Sequence, residues 1–193
     1  KNKVKRIAKG GYKSINQATD VSFPVLAWHP TGRFLTVLKE KKGKIWMDYL
    51  HTDKKRIKRE TNKFFYFEKV LDFSYAANGQ DIILSGIQKG QSDIFSFNTR
   101  TKVYQQLTHD YWEDRNPHFV MGDKYVVFSS NRPDDTLRNT NFKAYQFPSS
   151  HGNTDIFLYD FANKTSALTR LTNTPTANET QPMMTDSLHF TYL

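Results

Sequence analysis

The densest group of chemically capable side chains in this sequence is His109-Asp110-Tyr111-Trp112-Glu113-Asp114, followed closely by His118. A histidine beside three carboxylates invites a metal reading, because imidazole nitrogens and carboxylate oxygens are ordinary ligands for divalent cations. The spacing argues against it. The carboxylates do not alternate as a calcium loop requires, and no second histidine stands at ligand spacing. The expectation is a loop at a structural junction, with no metal and no cofactor. Catalytic signatures are missing too: there is no Gly-x-Ser-x-Gly elbow, no His-Glu-x-x-His pair and no phosphate-cradling glycine loop. Gly10-Gly11 leads to Ser14 and Asn16 without a helix start and reads as a turn. The chain has no cysteine, so thiolate chemistry and disulfides do not arise. The reading is non-catalytic.

Two further sets carry binding potential. Glu113-Asp114-Arg115-Asn116-Pro117-His118 and Glu179-Thr180-Gln181-Pro182 each place polar residues before a proline, as does Asp20-Val21-Ser22-Phe23-Pro24. Proline fixes φ and lacks a donor, which suits the entry to a strand. The alternative is that Glu113, Asp114, His118, Glu179 and Gln181 line a ligand or peptide site at the mouth of a channel. The second set lies between Arg132 and Gly152, where Arg132 and Arg138 accompany Phe142, Tyr145 and Phe147. A loop of about twenty residues without its own pattern is uncommon and often functional. Aromatic residues flanked by arginine match the composition of binding interfaces. The same rings tucked onto a sheet would make the loop a cover.

What must position these residues is a repeat. Ser92-Asp93-Ile94-Phe95-Ser96-Phe97, continuing to Leu107-Thr108, returns as Thr154-Asp155-Ile156-Phe157-Leu158-Tyr159, continuing to Leu171-Thr172. Each copy reads as a strand, a polar turn and a second strand. A second piece precedes it, an apolar or aromatic residue, a turn and then a β-branched run. It appears around Gly32, Gly79, Gly122 and Asp186. The three glycines recur at about 45 residues, a spacing that fits a four-stranded propeller blade. The sequence therefore predicts an all-β fold: a partial β-propeller of four-stranded antiparallel blades, about three to four blades' worth. Residues 1–20 end one blade, 21–65, 66–112 and 113–177 form three more, and 178–193 begin another. The insertion 132–152 belongs to the unit 113–177.

Lys3 to Lys9 overlays on Lys102 to Thr108, so it is expected to be a blade's last strand. Leu188 to Leu193 is expected to be a second strand. These ends lead to the expectation of an interior piece of a ring, since a propeller closes to hide its edges. An aromatic share of 15% supports a real core. Mean hydropathy is −0.69, as large polar loops would produce. No apolar run is long enough to span a membrane as a helix, and the basic first residues lead into no hydrophobic segment. The formal charge of +9 permits nucleic-acid binding. However, the lysines of Lys39 to Lys44 and Asp53 to Arg59 sit in separate turns, so they read as solvated loops and no nucleic acid is expected. Phe64-Phe65-Tyr66-Phe67 is expected to pack between sheets, each ring burying about 150–250 Å².

Asp155-Ile156-Phe157-Leu158-Tyr159-Asp160, Leu171-Thr172-Asn173, Glu179-Thr180-Gln181-Pro182 and Asp123 to Arg132, ending in Ser130-Asn131-Arg132, resemble the TolB-type propeller repeat. This repeat is a relative of the WD repeat found in bacterial envelope proteins. The first copy departs from it: Trp46-Met47-Asp48-Tyr49-Leu50 lacks the leading Asp, and Lys58-Arg59-Glu60-Thr61 replaces Leu-Thr. Ala8 to Ser14, Pro24 to Pro30 and Ser130 to Leu137 are similar to the long TolB-like envelope proteins of the Bacteroidetes group. The resemblance implies a non-catalytic scaffold that binds other envelope proteins, periplasmic and associated peripherally with the outer membrane. The alternative is the propeller of a prolyl-oligopeptidase-type serine peptidase, gating a separate hydrolase domain.

Overall fold

A computed structural model describes residues 23–52, 58–135, 137, 153–165, 167–186 and 189–193. The expected strand at Lys3 to Lys9 lies outside these residues. The described residues form an all-β arrangement of successive antiparallel sheets, a partial β-propeller. The first sheet is β1 (Val25–Trp28), β2 (Phe34–Lys41), β3 (Lys44–His51) and β4 (Lys58–Lys63), paired in chain order. The second holds β5 (Lys69–Tyr75), β6 (Asp81–Gln88), β7 (Gln91–Asn98) and β8 (Tyr104–Gln106). The third holds β9 (Asp114–Val120), β10 (Tyr125–Ser130), β11 (Asp155–Asp160) and β12 (Leu168–Arg170). A two-stranded sheet, β13 (Met183–Met184) with β14 (Phe190–Thr191), begins a fourth unit.

The turns explain the regularity. Lys42-Gly43 and Lys89-Gly90 have positive φ at both residues, 56° and 73° in the first and 53° and 78° in the second. That is the two-residue hairpin whose twist matches the flanking strands. In the third sheet this tight turn is replaced: Ser130 pairs directly with Asp155, and the chain from Asn131 to Thr154 lies between them. The start of the insertion runs beside the outer strand. Asp135 O accepts the Leu168 amide at 2.9 Å, Pro133 O accepts Arg170 Nη1 at 3.2 Å, and Leu137 packs on the core.

The strands read as apolar runs because both faces of each sheet are covered. Along β6, Ile82 and Leu84 join the cluster against the first sheet, while Ile83 joins the cluster against the third. Along β10, Val126 and Phe128 face the second sheet, and Val127 packs toward Met184 and Phe190 of the fourth unit. The aromatic run splits as its pattern implies: Phe64 and Phe67 are buried in the first cluster, and Phe65 stays partly exposed beside Trp46. β1 packs beside β5, β5 beside β9, and β9 beside β13. The first strands of neighbouring blades therefore stand next to one another, and the polar residues that lead into β9 and β13 lie at one mouth of the arc, while Asp20 to Ser22 lie outside the described residues.

Candidate functional site at the blade-entry mouth

β9 enters beside β10 with an irregularity: His118 opposes Val127 and Arg115 opposes Ser129, so Asn116 and Pro117 have no regular partner residues. Proline, which lacks an N–H, fits such a bulge. Asn116 takes φ of 52° and Gln181, also before a proline, takes 53°. Left-handed backbone at two matching non-glycine positions costs about 1–2 kcal/mol at each and turns these side chains out of the ladder. β5 carries a comparable register shift at Leu71.

Behind this edge lies a buried charge cluster that joins the second and third sheets. Arg132 is 1% exposed. Its Nη2 donates to both Asp114 oxygens at 2.8 and 2.7 Å, its Nη1 to Asp110 Oδ2 at 3.0 Å, and its Nε to Ser130 Oγ at 3.0 Å. The guanidinium carbon lies 5.6 Å from the ring centres of both Phe128 and Phe157. Such a planar, weakly hydrated cation is the group best suited to burial between rings and carboxylates. Ser85 and Ser92 hydroxyls tie the Asp114 carbonyl to the second sheet at 2.7 and 3.0 Å.

Asp93, Asp110 and Asp114 bring oxygens within 4.8 Å of one another, and a single guanidinium faces them. Asp93 accepts Gln106 Nε2 at 3.0 Å. Burial, with the neighbouring charges of Asp114 and Asp110, pushes Asp93 up to about 7, against the opposing pull of the Asp110 amide and Gln106. Burial and Asp114 also raise Asp110, partly offset by Arg132. Burial disfavours the charge on Arg132, but the two carboxylates outweigh it and raise its pKa. The cluster thus sets one guanidinium against three carboxyls, two of which burial and mutual repulsion raise above the ordinary carboxylate range.

In front of it is an open cavity of about 580 Å³. Glu113, Arg115 and Asn116 line one side, Asn178, Thr180 and Gln181 another, with Asn131, Thr154, Ser129 and Leu71 between. Arg115 Nη2 donates to Glu113 Oε2 at 2.7 Å, and the Glu113 amide donates to Asn131 Oδ1 at 2.8 Å. Seven of the ten lining side chains carry an amide or a hydroxyl, so the surface offers donors and acceptors of the kind that pair with peptide backbone.

The residues singled out from sequence divide three ways. Glu113 and Gln181 line the cavity. Asp114 and Arg132, 0% and 1% exposed, are enclosed and satisfy one another, so they support the mouth and cannot touch a partner. Glu179 is buried behind the lining. His118 lies deeper on β9, half-buried, and burial lowers its pKa against the attraction of Asp72. Arg138, Phe142, Tyr145 and Phe147 lie outside the described residues. Sequence reasoning missed Arg115, Asn116, Asn131, Thr154, Asn178 and Thr180. The signals were the repeated dipeptides Asn116-Pro117 and Gln181-Pro182, and the alternation along β9 that turns Arg115 outward when Asp114 is buried.

No known family's sequence profile matches the chain, and no curated protein sequence does. Among solved structures the chain is similar to TolB from Acinetobacter baumannii, with 17% identity and a TM-score of 0.62 over 87% of this chain and 36% of that one. It is also similar to a proposed 6-phosphogluconolactonase from Bacteroides uniformis, with 13% identity and a TM-score of 0.51 over 96% and 51%. A third is Kuenenia stuttgartiensis hydrazine synthase, with 8% identity and a TM-score of 0.51 over 86% and 60%. The chain spans between 36% and 60% of the length of these proteins. The likeness at such identity is one of fold, that of a TolB-like β-propeller.

Proposed function

We propose that the chain is a non-catalytic protein-interaction module of a bacterial cell-envelope complex, periplasmic and associated peripherally with the outer membrane. In this reading it engages a segment of another envelope protein at the blade-entry mouth. The observation that carries the proposal is the open cavity of about 580 Å³ lined by Glu113, Arg115, Asn116, Asn178 and Gln181. Amide and hydroxyl groups of this kind bind polypeptide main chain, and the Glu113–Arg115 pair provides a charged rim that selects orientation. The TolB-like fold and the repeat resemblance support the envelope setting. The 132–152 insertion, which begins beside β12, would supply a second contact through Arg138, Phe142, Tyr145 and Phe147.

The test is photo-crosslinking in the native host with a benzophenone residue at Gln181, compared with one at Lys42 on a remote hairpin turn. The expected result is a discrete adduct with one envelope protein at Gln181 and none at Lys42. Adducts of equal yield at both positions, or none at Gln181, would remove the mouth as the contact surface.

A further inference from the structure

Residues 107–113 join β8 to β9, and this loop runs from the buried charge cluster to the rim of the mouth. Its first part is tied to the second sheet: the Leu107 amide donates to Ile94 O at 2.8 Å, and Thr108 Oγ1 accepts the Ile94 amide at 2.9 Å. Beyond Thr108 the loop is held through side chains. Asp110 Oδ1 accepts the Trp112 amide at 3.1 Å while its Oδ2 holds Arg132, and the Asp110 amide donates to Asp93. Gln91 Nε2 donates to Trp112 O at 3.0 Å, and the Glu113 amide reaches Asn131 Oδ1. Glu113, Arg115 and Asn131 line the mouth, and each is the chain neighbour of a cluster member, Asp114 or Arg132. Whatever moves Asp110 therefore moves the rim.

The charges in the cluster do not balance when every carboxyl is ionised. Asp93, Asp110 and Asp114 are 2%, 8% and 0% exposed, and Arg132 is the cation that faces them among the described residues. The other groups turned toward Asp93 are neutral: Gln106 on β8 and the Thr108 hydroxyl. His109 reaches it only through Gln106, whose Nε2 lies 2.8 Å from His109 Nδ1. Three ionised carboxyls would leave two uncompensated charges out of water, and buried carboxyls so crowded hold protons more tightly instead. Burial and mutual repulsion accordingly raise Asp93 to about 7 and Asp110 to about 6. Asp93 and Asp114 are fixed on β7 and β9. Asp110 lies on the loop and is the most exposed of the three, so it is the member that can turn to water.

We infer that the Asp93, Asp110, Asp114 and Arg132 cluster is a proton-operated latch on the mouth. With a proton among the carboxyls, Asp110 stays on Arg132 and residues 109–113 hold Glu113 against Asn131. With that proton gone, repulsion from Asp93 and Asp114 turns Asp110 out to water and carries Glu113 off the rim. The latched form binds the proton more tightly than the open one, so it is complete at low pH and is lost as pH rises from about 4 toward 7. Control of partner binding by the latch rests on the mouth being the contact surface; the latch itself does not.

The test is hydrogen exchange on the free chain, expressed as protection factors so that the intrinsic pH dependence of exchange is removed. Protection of the Trp112 and Glu113 amides is expected to fall at least about tenfold between pH 5 and pH 7, while that of Ile83 in β6 stays level. Asp93→Asn removes one carboxyl and is expected to abolish the fall. Level protection at Trp112 and Glu113 in the parent, a parallel fall at Ile83, or an undiminished fall in Asp93→Asn, which retains His109, would overturn the inference. The parent's profile needs no variant, so it decides the matter even if Asp93→Asn fails to fold. Crosslinking through Gln181 at the same two pH values reads the consequence for a partner, with a lower yield expected at pH 7. Equal yields in a chain whose protection falls would overturn control of the mouth. No adduct at either pH would remove the mouth as the contact surface, and the protection factors would still decide the latch.

Discussion

Asp93→Asn should stabilise this protein at alkaline pH and flatten its pH dependence. In the folded chain Asp93 faces Asp114 and Asp110 across less than 4.8 Å with a single guanidinium to share, and burial with these neighbours raises it from 3.8 to about 7. A carboxyl raised on folding holds its proton more tightly in the native state. Its contribution is fully present below about pH 4 and is lost as pH rises toward 7. Taken whole, a rise of about three pH units corresponds to about 4 kcal/mol. With an effective internal dielectric near 20, reorientation of Gln106 and Thr108 reduces the expected loss between pH 5 and pH 8 to about 1–2 kcal/mol. Asparagine keeps the shape and removes the titration. Urea unfolding at pH 5, 6, 7 and 8 on both proteins measures the difference. His118 works the other way, since its lowered pKa removes stability as pH falls, but it is present in both chains and cancels. Parallel profiles for the two proteins, or a variant less stable than the parent at pH 8, would refute the reasoning.

Arg132→Met leaves Asp114 and Asp110 buried without their cation and should cost about 3–5 kcal/mol in urea unfolding. Phe95→Ala empties a fully buried ring site between the first two sheets, and the same measurement should show a loss of about 3–5 kcal/mol. His118, followed by NMR titration, should protonate below the ordinary 6.5, and Asp72→Asn should lower it further by removing the attracting charge. Gly86→Val should destabilise by well over about 1 kcal/mol, because even a Cβ at Gly86 would lie 2.7 Å from Phe67 Cδ1.

The blade pattern was legible because two local signals agreed. Unbroken runs such as Ile82-Ile83-Leu84 mark strands covered on both faces, and Gly32, Gly79 and Gly122 each take φ of 67° in the first hairpin of a blade. The departure in the first copy is also real in register. Lys41 pairs with Lys44 as Gln88 pairs with Gln91, so Trp46 holds the place of Asp93, and the charge cluster has no equivalent there among the described residues. Asp114 and Arg132 read as exposed contacts from sequence alone, because a charged residue in a polar stretch looks solvated. Their burial depends on Asp110, Ser130, Phe128 and Phe157 converging from two strands and a loop, which no local window contains. The cavity escaped for the same reason: Thr154 and Asn178 reach Glu113 only after β11 has paired with β10 across the insertion.

The proposed recognition of a partner at the mouth rests on Glu113 and Gln181. It is tested most directly by the affinity of the protein recovered by crosslinking at Gln181, measured by titration against the parent chain and against Glu113→Ala/Gln181→Ala. Two contacts at the centre of an interface should together cost at least about 1.4 kcal/mol, a tenfold loss. At least that loss is expected, with unchanged folding. An affinity equal to the parent's, in a variant that unfolds as the parent does, would contradict it.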